Sequence, residues 1–275
     1  MNVFIVGLGL MGASYAEGLK AKGYCVNGFD QDDKTMAAAR QSGLINNQTL
    51  DDISEADVVI LALYPKDNIR FMQDHACLLK PGQILTDLSG VKQHMMNAIE
   101  ALLPDGVSYT SHHPMAGREK KGFSARDATM FHHANALIIT GAHTGPQDET
   151  VILNMLKDLK FGKITVVDAH IHDQLIAFTS QLTHVMAVAL IQADHHELTR
   201  QATGDSFRDL TRIAKINETM WSELFLENKD ALLEAIDMFR HEIDQVRQWI
   251  RQEDKASLMR YLREAREKRQ TFDQD

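Results

Sequence analysis

Two stretches of this 275-residue chain carry side chains that could do chemistry. In "TSHHPMAGREKKG", Thr110–Gly122, two adjacent histidines close an apolar run, a proline ends it, and charges of both signs follow. Imidazole titrates near neutrality, so a histidine fixed at the end of a strand can take or give a proton. In "GLGLMG" the residues Gly7, Leu8, Gly9, Leu10, Met11 and Gly12 form a G-x-G-x-x-G run, directly behind an apolar strand and at the start of a helical pattern. That context makes the run a dinucleotide fingerprint. Gly7 permits a tight turn, Gly9 lets a pyrophosphate approach the backbone, and Gly12 lets the helix pack closely on the strand. The helix N-terminus then faces the phosphates. Asp30 ends the next strand, where a carboxylate accepts hydrogen bonds from ribose hydroxyls and repels a 2′-phosphate. The expected cofactor is therefore NAD rather than NADP.

These residues need a scaffold, and the pattern supplies one. Apolar strand signals occur at Asn2–Gly7, Cys25–Asp30, Asp57–Leu63, Gly82–Ser89, Gly106–His112, Asn135–Thr140 and Lys163–Asp168, most of them separated by helical stretches. Continuous apolar runs alternating with helices predict an α/β fold, a Rossmann-type doubly wound and mostly parallel sheet. From Gln174 onward no strand signal remains. "FTSQLTHVMAVALIQA" predicts a buried apolar helix. Leu232, Ile236, Phe239, Ile243, Val246 and Ile250 form one apolar stripe on a long helix. The expected domains are 1–167, which binds dinucleotide, and 168–275, all helical. So much apolar stripe on so few helical residues predicts a homodimer through the second domain.

Bulk properties narrow the partners. With 29 basic and 38 acidic residues the formal charge is −9. This argues against nucleic acid, whose phosphates favour a basic face. It leaves room for a small anionic substrate held by a local arginine. Cys25 and Cys77 are isolated among apolar residues and read as buried thiols of a reducing compartment. No apolar run looks long enough for a membrane, and "MNVFIVGLG" reads as a strand, not a signal peptide, so a cytoplasmic protein is expected. His170 and His172 lack companions at ligand spacing, so no metal is expected. The pairs His132–His133 and His195–His196 read as surface residues.

The sequence resembles the prephenate/arogenate dehydrogenase family over nearly its whole length. The resemblance rests on "VGLGLMGAS", "DLSGVK" (Asp87–Lys92), "HPMAGREKKG" (His113–Gly122), "HD" (His172–Asp173) ahead of "SQLTH" (Ser180–His184), and "FRDLTRIAKINETMW" (Phe207–Trp221). It implies a Rossmann domain joined to a helical dimerisation domain, and oxidative decarboxylation of prephenate to 4-hydroxyphenylpyruvate in tyrosine biosynthesis. It implies that His113 deprotonates the substrate's C4 hydroxyl and that Ser89 bonds near the same hydroxyl. By the same resemblance Arg212 holds the side-chain carboxylate, His184 meets the ring carboxylate, His172 and Glu119 stand at the site edge, and Trp221 walls the pocket.

Other readings compete. His112 reads as a packing residue, and a histidine on an apolar helix such as His184 can be a satisfied core residue. Arg212 can equally serve a structural salt bridge. An arogenate dehydrogenase would share every motif above. The 3-hydroxyacid dehydrogenases open with a similar glycine run, yet their "GxxGxGxxxK" lysine context is missing here. A non-catalytic NAD-binding regulator would lack a converging base and anion site.

Overall fold

The computed structural model describes residues 1–46, 49–118 and 120–273. The apolar runs near the N-terminus become strands β1 (Asn2–Val6) and β2 (Cys25–Phe29), then β3 (Val58–Leu61) and β4 (Ile84–Asp87). With β5 (Ser108–Tyr109) they form a wholly parallel sheet in the order β2-β1-β3-β4-β5. Successive side chains of a strand point to opposite faces. Val3 and Ile5 accordingly join a core with Tyr15, Ala16 and Leu19, while Phe4 and Val6 join another with Phe71, Met72, Met95 and Ile99. Burial on both faces explains why β1 lacks alternation.

The helices that cover this sheet follow from local signals. Helix α1 (Leu10–Ala21) starts at Gly9, α2 (Asp33–Gln41) is capped by the Asp32 carboxylate, and α3 (Pro65–His75) begins on a proline. Helix α4 (Gln93–Glu100) connects β4 to β5.

The stretch Gly106–His112, expected to be one strand, is two strands of different sheets. β5 pairs with β4, whereas β6 (Ser111–Pro114) pairs antiparallel with β7 (Ala136–Thr140), which pairs parallel with β8 (Ile164–Asp168). The change falls at Thr110. Its N–H still reaches Leu85 O, while its hydroxyl turns to Thr144 and Asp148. Hydropathy carries no signal for a change of strand partner, so the run read as continuous.

Helix α5 (Asp148–Asp158) lies between β7 and β8, and α6 (Ala169–Ile176) follows β8. A π-helical turn, Ala177–Gln181, leads into α7 (Leu182–Gln192). The short helices α8 (Thr199–Ala202) and α9 (Asp205–Thr211) precede α10 (Glu218–Glu227), α11 (Lys229–Arg251) and α12 (Lys255–Thr271). The chain divides into two compact units. The first comprises Met1–Ile176 with Ile216–Glu227, so α6 and α10 belong to it; the second comprises Ala177–Lys215 with Asn228–Asp275.

Three expectations are corrected. Cys25 and Cys77 are exposed, not buried, because β2 is an edge strand and Cys77 sits in a short surface turn. The segment Phe178–Ala193 is helical but poorly covered: Phe178, Leu190 and Ile191 are exposed. Finally, Ala169–Gln192 is one helix long and apolar enough, by length and composition alone, to cross a membrane. In the sequence the polar residues His172, Asp173 and Gln174 interrupt this run.

Candidate active site

The glycine loop leaves β1 in a conformation that glycine favours. Gly7 has φ +92°, and its N–H donates to Phe29 O at 2.7 Å, tying the turn to β2. A Cβ on Gly12 would stand 1.9 Å from Gly7 O, so α1 could not begin this close to the strand with any other residue. A Cβ on Gly9 would meet nothing within 4 Å, which leaves the approach to the loop open. Helix α1 carries no acidic residue in its first turn, so nothing there competes with an anion for its N–H groups. Asp30 accepts the Leu8 N–H at 2.8 Å and the Asp32 N–H at 2.9 Å, one bond on each carboxylate oxygen. A carboxylate has about four lone-pair sites, so both oxygens can still accept ribose hydroxyls. These residues fit a dinucleotide.

Beside the loop that follows β4 stands a chain of imidazoles. His113 lies on β6, opposite Leu137. Its Nδ1 is 2.9 Å from Nε2 of His172 on α6. The other nitrogen of His172 is 2.7 Å from the Asp173 carboxylate, which also accepts the Lys92 and Gln93 N–H groups at 2.9 Å each. Nε2 of His113 faces the loop after β4: a Cβ on Gly90 would stand 3.8 Å from it. Ser89, one residue earlier, receives a hydrogen bond from Asn68 Nδ2 at 2.9 Å.

The loop that bears Ser89 is held by a buried ion pair. Lys92 Nζ lies 2.7 Å from Asp87 Oδ1, both side chains are fully buried, and the ammonium also donates to His112 O at 3.0 Å. Asp87 further accepts the Ser89 N–H at 2.8 Å, the Tyr109 hydroxyl at 2.7 Å and the Ser111 hydroxyl. One carboxylate thus takes four donors, the number it can accommodate. Burial alone would raise Asp87, but Lys92 with the hydroxyl donors outweighs it and holds the carboxyl below its ordinary value. Burial pulls Lys92 below the usual lysine value, against the attraction of Asp87 and Asp173.

Burial also sets the imidazoles. It pushes His113 well below the ordinary histidine value, with smaller contributions from His172, Lys92 and His112. His172 is lowered by burial against the opposing pull of Asp173. His112, bonded to Thr86 and Tyr15, is pushed down to about 3, again chiefly by burial. It is a packing residue, as read from the sequence. The reading of His113 as titrating near working pH is not what its surroundings produce: it is neutral throughout the physiological range.

The remaining residues divide between the units. Trp221 lies half-buried on α10 in the first unit, with its ring 5.5 Å from that of Phe225. His184 on α7 and Arg212, in the turn after α9, lie in the second unit, where their elements pack on one another. The π-helical turn precedes His184, whose Nδ1 lies 2.9 Å from Ser180 O, so its Nε2 points away from the turn. Such turns are frequent at functional sites. Glu119 lies outside the described residues. Among the described residues no group of three or more His, Cys, Asp or Glu side chains is placed to hold a metal ion. The sequence reading singled out neither Asn68 nor Asp87, Lys92 and Asp173. The signal was charge inside apolar surroundings: the last three stand in the quoted "DLSGVK" and "HD".

A glycine cradle for a dinucleotide and a neutral imidazole beside the loop that follows β4 define a nucleotide-dependent oxidoreductase. Comparisons with known proteins sharpen the class. Residues 15–166 match "Prephenate dehydrogenase, nucleotide-binding domain", and residues 168–264 match "Prephenate dehydrogenase, dimerization domain". Cyclohexadienyl dehydrogenase of Zymomonas mobilis is 31% identical over 98% of this chain and 94% of its own. The crystal structure of Synechocystis arogenate dehydrogenase is similar, with TM-score 0.89 at 25% identity, covering 99% of this chain and 100% of its own. So is prephenate dehydrogenase from A. aeolicus in complex with hydroxyphenyl propionate and NAD+, with TM-score 0.88 at 27% identity, covering 99% of this chain and 98% of its own. The chain belongs to the prephenate dehydrogenase family.

Proposed function

We propose that this protein is an NAD-dependent prephenate dehydrogenase, which converts prephenate to 4-hydroxyphenylpyruvate and carbon dioxide. The observation that carries this reading is the neutral His113, with Nε2 facing the Ser89–Gly90 loop, in the same unit as the glycine cradle. NAD, when bound, accepts the hydride from C4. The Gly7–Gly12 loop and the first turn of α1 hold its pyrophosphate, and Asp30 takes the adenosine ribose and turns away a 2′-phosphate. His113 Nε2 takes the proton of the C4 hydroxyl as the carbonyl forms. Ser89, steadied by Asn68, bonds the same hydroxyl. His172 orients His113 and has no exposed surface of its own for substrate.

The substrate's two carboxylates each need a partner. Arg212 offers a bidentate fork for the side-chain carboxylate, and His184 offers Nε2 to the ring carboxylate. Trp221 walls the pocket and Glu119 stands at its edge. Residues 1–167 form the dinucleotide part, and residues 168–275 form the substrate and homodimer part, in a cytoplasmic enzyme. The test is the initial rate of NADH or NADPH formation with prephenate and with arogenate. The expected result is the highest kcat/KM for prephenate with NAD. A preference for arogenate overturns the substrate, a preference for NADP overturns the role of Asp30, and no turnover of either substrate overturns the enzyme.

A further inference from the structure

We infer that Asp173 is a positioning residue for the catalytic base: it fixes the tautomers of His172 and His113 so that the lone pair of His113 stands on Nε2. The inference rests on the proposed role of His113 and deepens it. An ionised carboxylate only accepts hydrogen bonds. Asp173 acts here as an acceptor on both oxygens, which take the Lys92 and Gln93 N–H groups. The His172 nitrogen 2.7 Å away must therefore be a donor, Nδ1–H. A neutral imidazole carries one proton, so Nε2 of His172 is an acceptor. His113 lies 2.9 Å from it and must donate through its own Nδ1–H. That leaves Nε2 of His113 with the free lone pair of this relay, and it is the nitrogen that faces Gly90 beside Ser89.

Each link is determined by the one before, and the origin is the carboxylate. Backbone N–H groups cannot move away without unwinding the start of α4, so the carboxylate has a fixed position. When Nε2 of His113 takes the hydroxyl proton, the O–H bond breaks, an N–H bond forms, and the oxygen keeps the electron pair. The imidazolium that results still points Nδ1–H at His172, with Asp173 at the far end to offset the charge. Replacing Asp173 by Asn inverts the logic. With its single oxygen on the Gln93 N–H, the amide gives up the Lys92 N–H and presents its NH2 to His172 Nδ1, which becomes the acceptor. His172 then donates from Nε2, His113 accepts at Nδ1, and Nε2 of His113 carries the proton it should receive.

The experiment compares wild type, Asp173→Asn, His113→Asn and the double variant, with 15N NMR of labelled histidine to read tautomers. The His113 signal is the one lost in His113→Asn. Expected are a fall in kcat of about 10²–10⁴ for Asp173→Asn, the scale of a lost or wrongly protonated base, with KM within about threefold and NAD affinity unchanged. The double variant should be no slower than His113→Asn alone, because residues acting as one unit are not additive. The wild-type His113 signal should show a protonated Nδ1, and Asp173→Asn should move the proton to Nε2. Retention of kcat within about threefold, an additive double variant, or a wild-type His113 protonated on Nε2 each overturns the inference. If Asp173→Asn does not fold, His172→Asn leaves the carboxylate on its backbone donors and must lose kcat to the same extent; a smaller loss overturns the inference. If the wild type turns over neither prephenate nor arogenate, the proposed function fails, while the tautomer of His113 still decides the role of Asp173.

Discussion

His113 combines a low proton affinity with a defined lone pair. Burial, with smaller contributions from His172 and Lys92, keeps it neutral, so in the proposed role the basic form needs no deprotonation before each turnover. Replacing it by Asn keeps a hydrogen-bonding group of similar reach and removes the base. His113→Asn should lower kcat by about 10²–10⁴ and change KM for prephenate much less. Steady-state rates with NAD decide this, and a near-normal kcat removes His113 from its role. Residues of this kind were legible because their neighbours are distinctive: the glycine run, the His-Pro pair and the strand-ending Ser89 mark themselves. The residues that hold them were not. Asp87, Lys92, Tyr109, Ser111 and Asp173 meet through side chains that converge from separate elements, and no spacing in one sequence reports such a meeting.

At the scale of elements, β6 does two jobs with adjacent residues. His113 is turned to the site, and His112 is turned inward to bond Thr86 of β4 and Tyr15 of α1. Neither partner is charged, and burial together with the repulsion of Lys92 outweighs the smaller attraction of Asp87 for an imidazolium there. The fold therefore requires neutral His112, with a pKa pushed down to about 3, while the unfolded chain protonates it near the ordinary value of about 6.5. Between those two values the unfolded state binds the extra proton. Stability is thus complete above about pH 6.5 and falls by about 1.4 kcal/mol per pH unit as the pH drops below it. By pH 5 His112 alone should cost about 2 kcal/mol. His113 and His172, also lowered by burial, act in the same direction. Thermal unfolding from pH 7.5 to pH 5 should show a steep loss of Tm, with a shallower slope in His112→Gln. Equal slopes would mean that another group carries the acid sensitivity. The strands themselves were legible from their apolar runs. The break at Thr110 was not, because it depends on which strand lies alongside.

At the scale of the whole molecule, the second unit is short of interior. Among the described residues its core cluster holds Ala177, Leu182 and Ala235 as buried members, with Met186, Ala231, Ile236 and Phe239 packed around them. The stripe read from the sequence runs along α11, and its surroundings change along the helix. Leu232 is buried, Ile236, Phe239 and Val246 are partly covered, and Ile243 and Ile250 are 51% and 62% exposed. Ile236 and Phe239, toward the N-terminal end of the stripe, pack on the unit's own core, whereas Ile243 and Ile250, toward its C-terminal end, lie mostly open to solvent within the chain. Helix α7 shows the same deficit, with Leu190 and Ile191 exposed. Apolar surface of this extent marks an interaction site, and it falls within residues 168–264, which match the family's dimerization domain. A twofold partner seated on these positions would bury them in protein. Ile243→Glu together with Ile250→Glu should therefore turn a dimer into a monomer without unfolding the chain, because both positions are solvent-facing within one copy. Leu232→Asp should instead destabilise the unit itself, by about 3 kcal/mol or more, as an unpaired charge in a small core. Light scattering at micromolar concentration gives the mass and thermal unfolding gives the stability. A wild-type mass of one chain sinks the dimer. A double variant that stays dimeric moves the interface off the stripe. Loss of folding in that variant would place Ile243 and Ile250 in the interior of a unit that cannot form alone, so that the second copy completes its core.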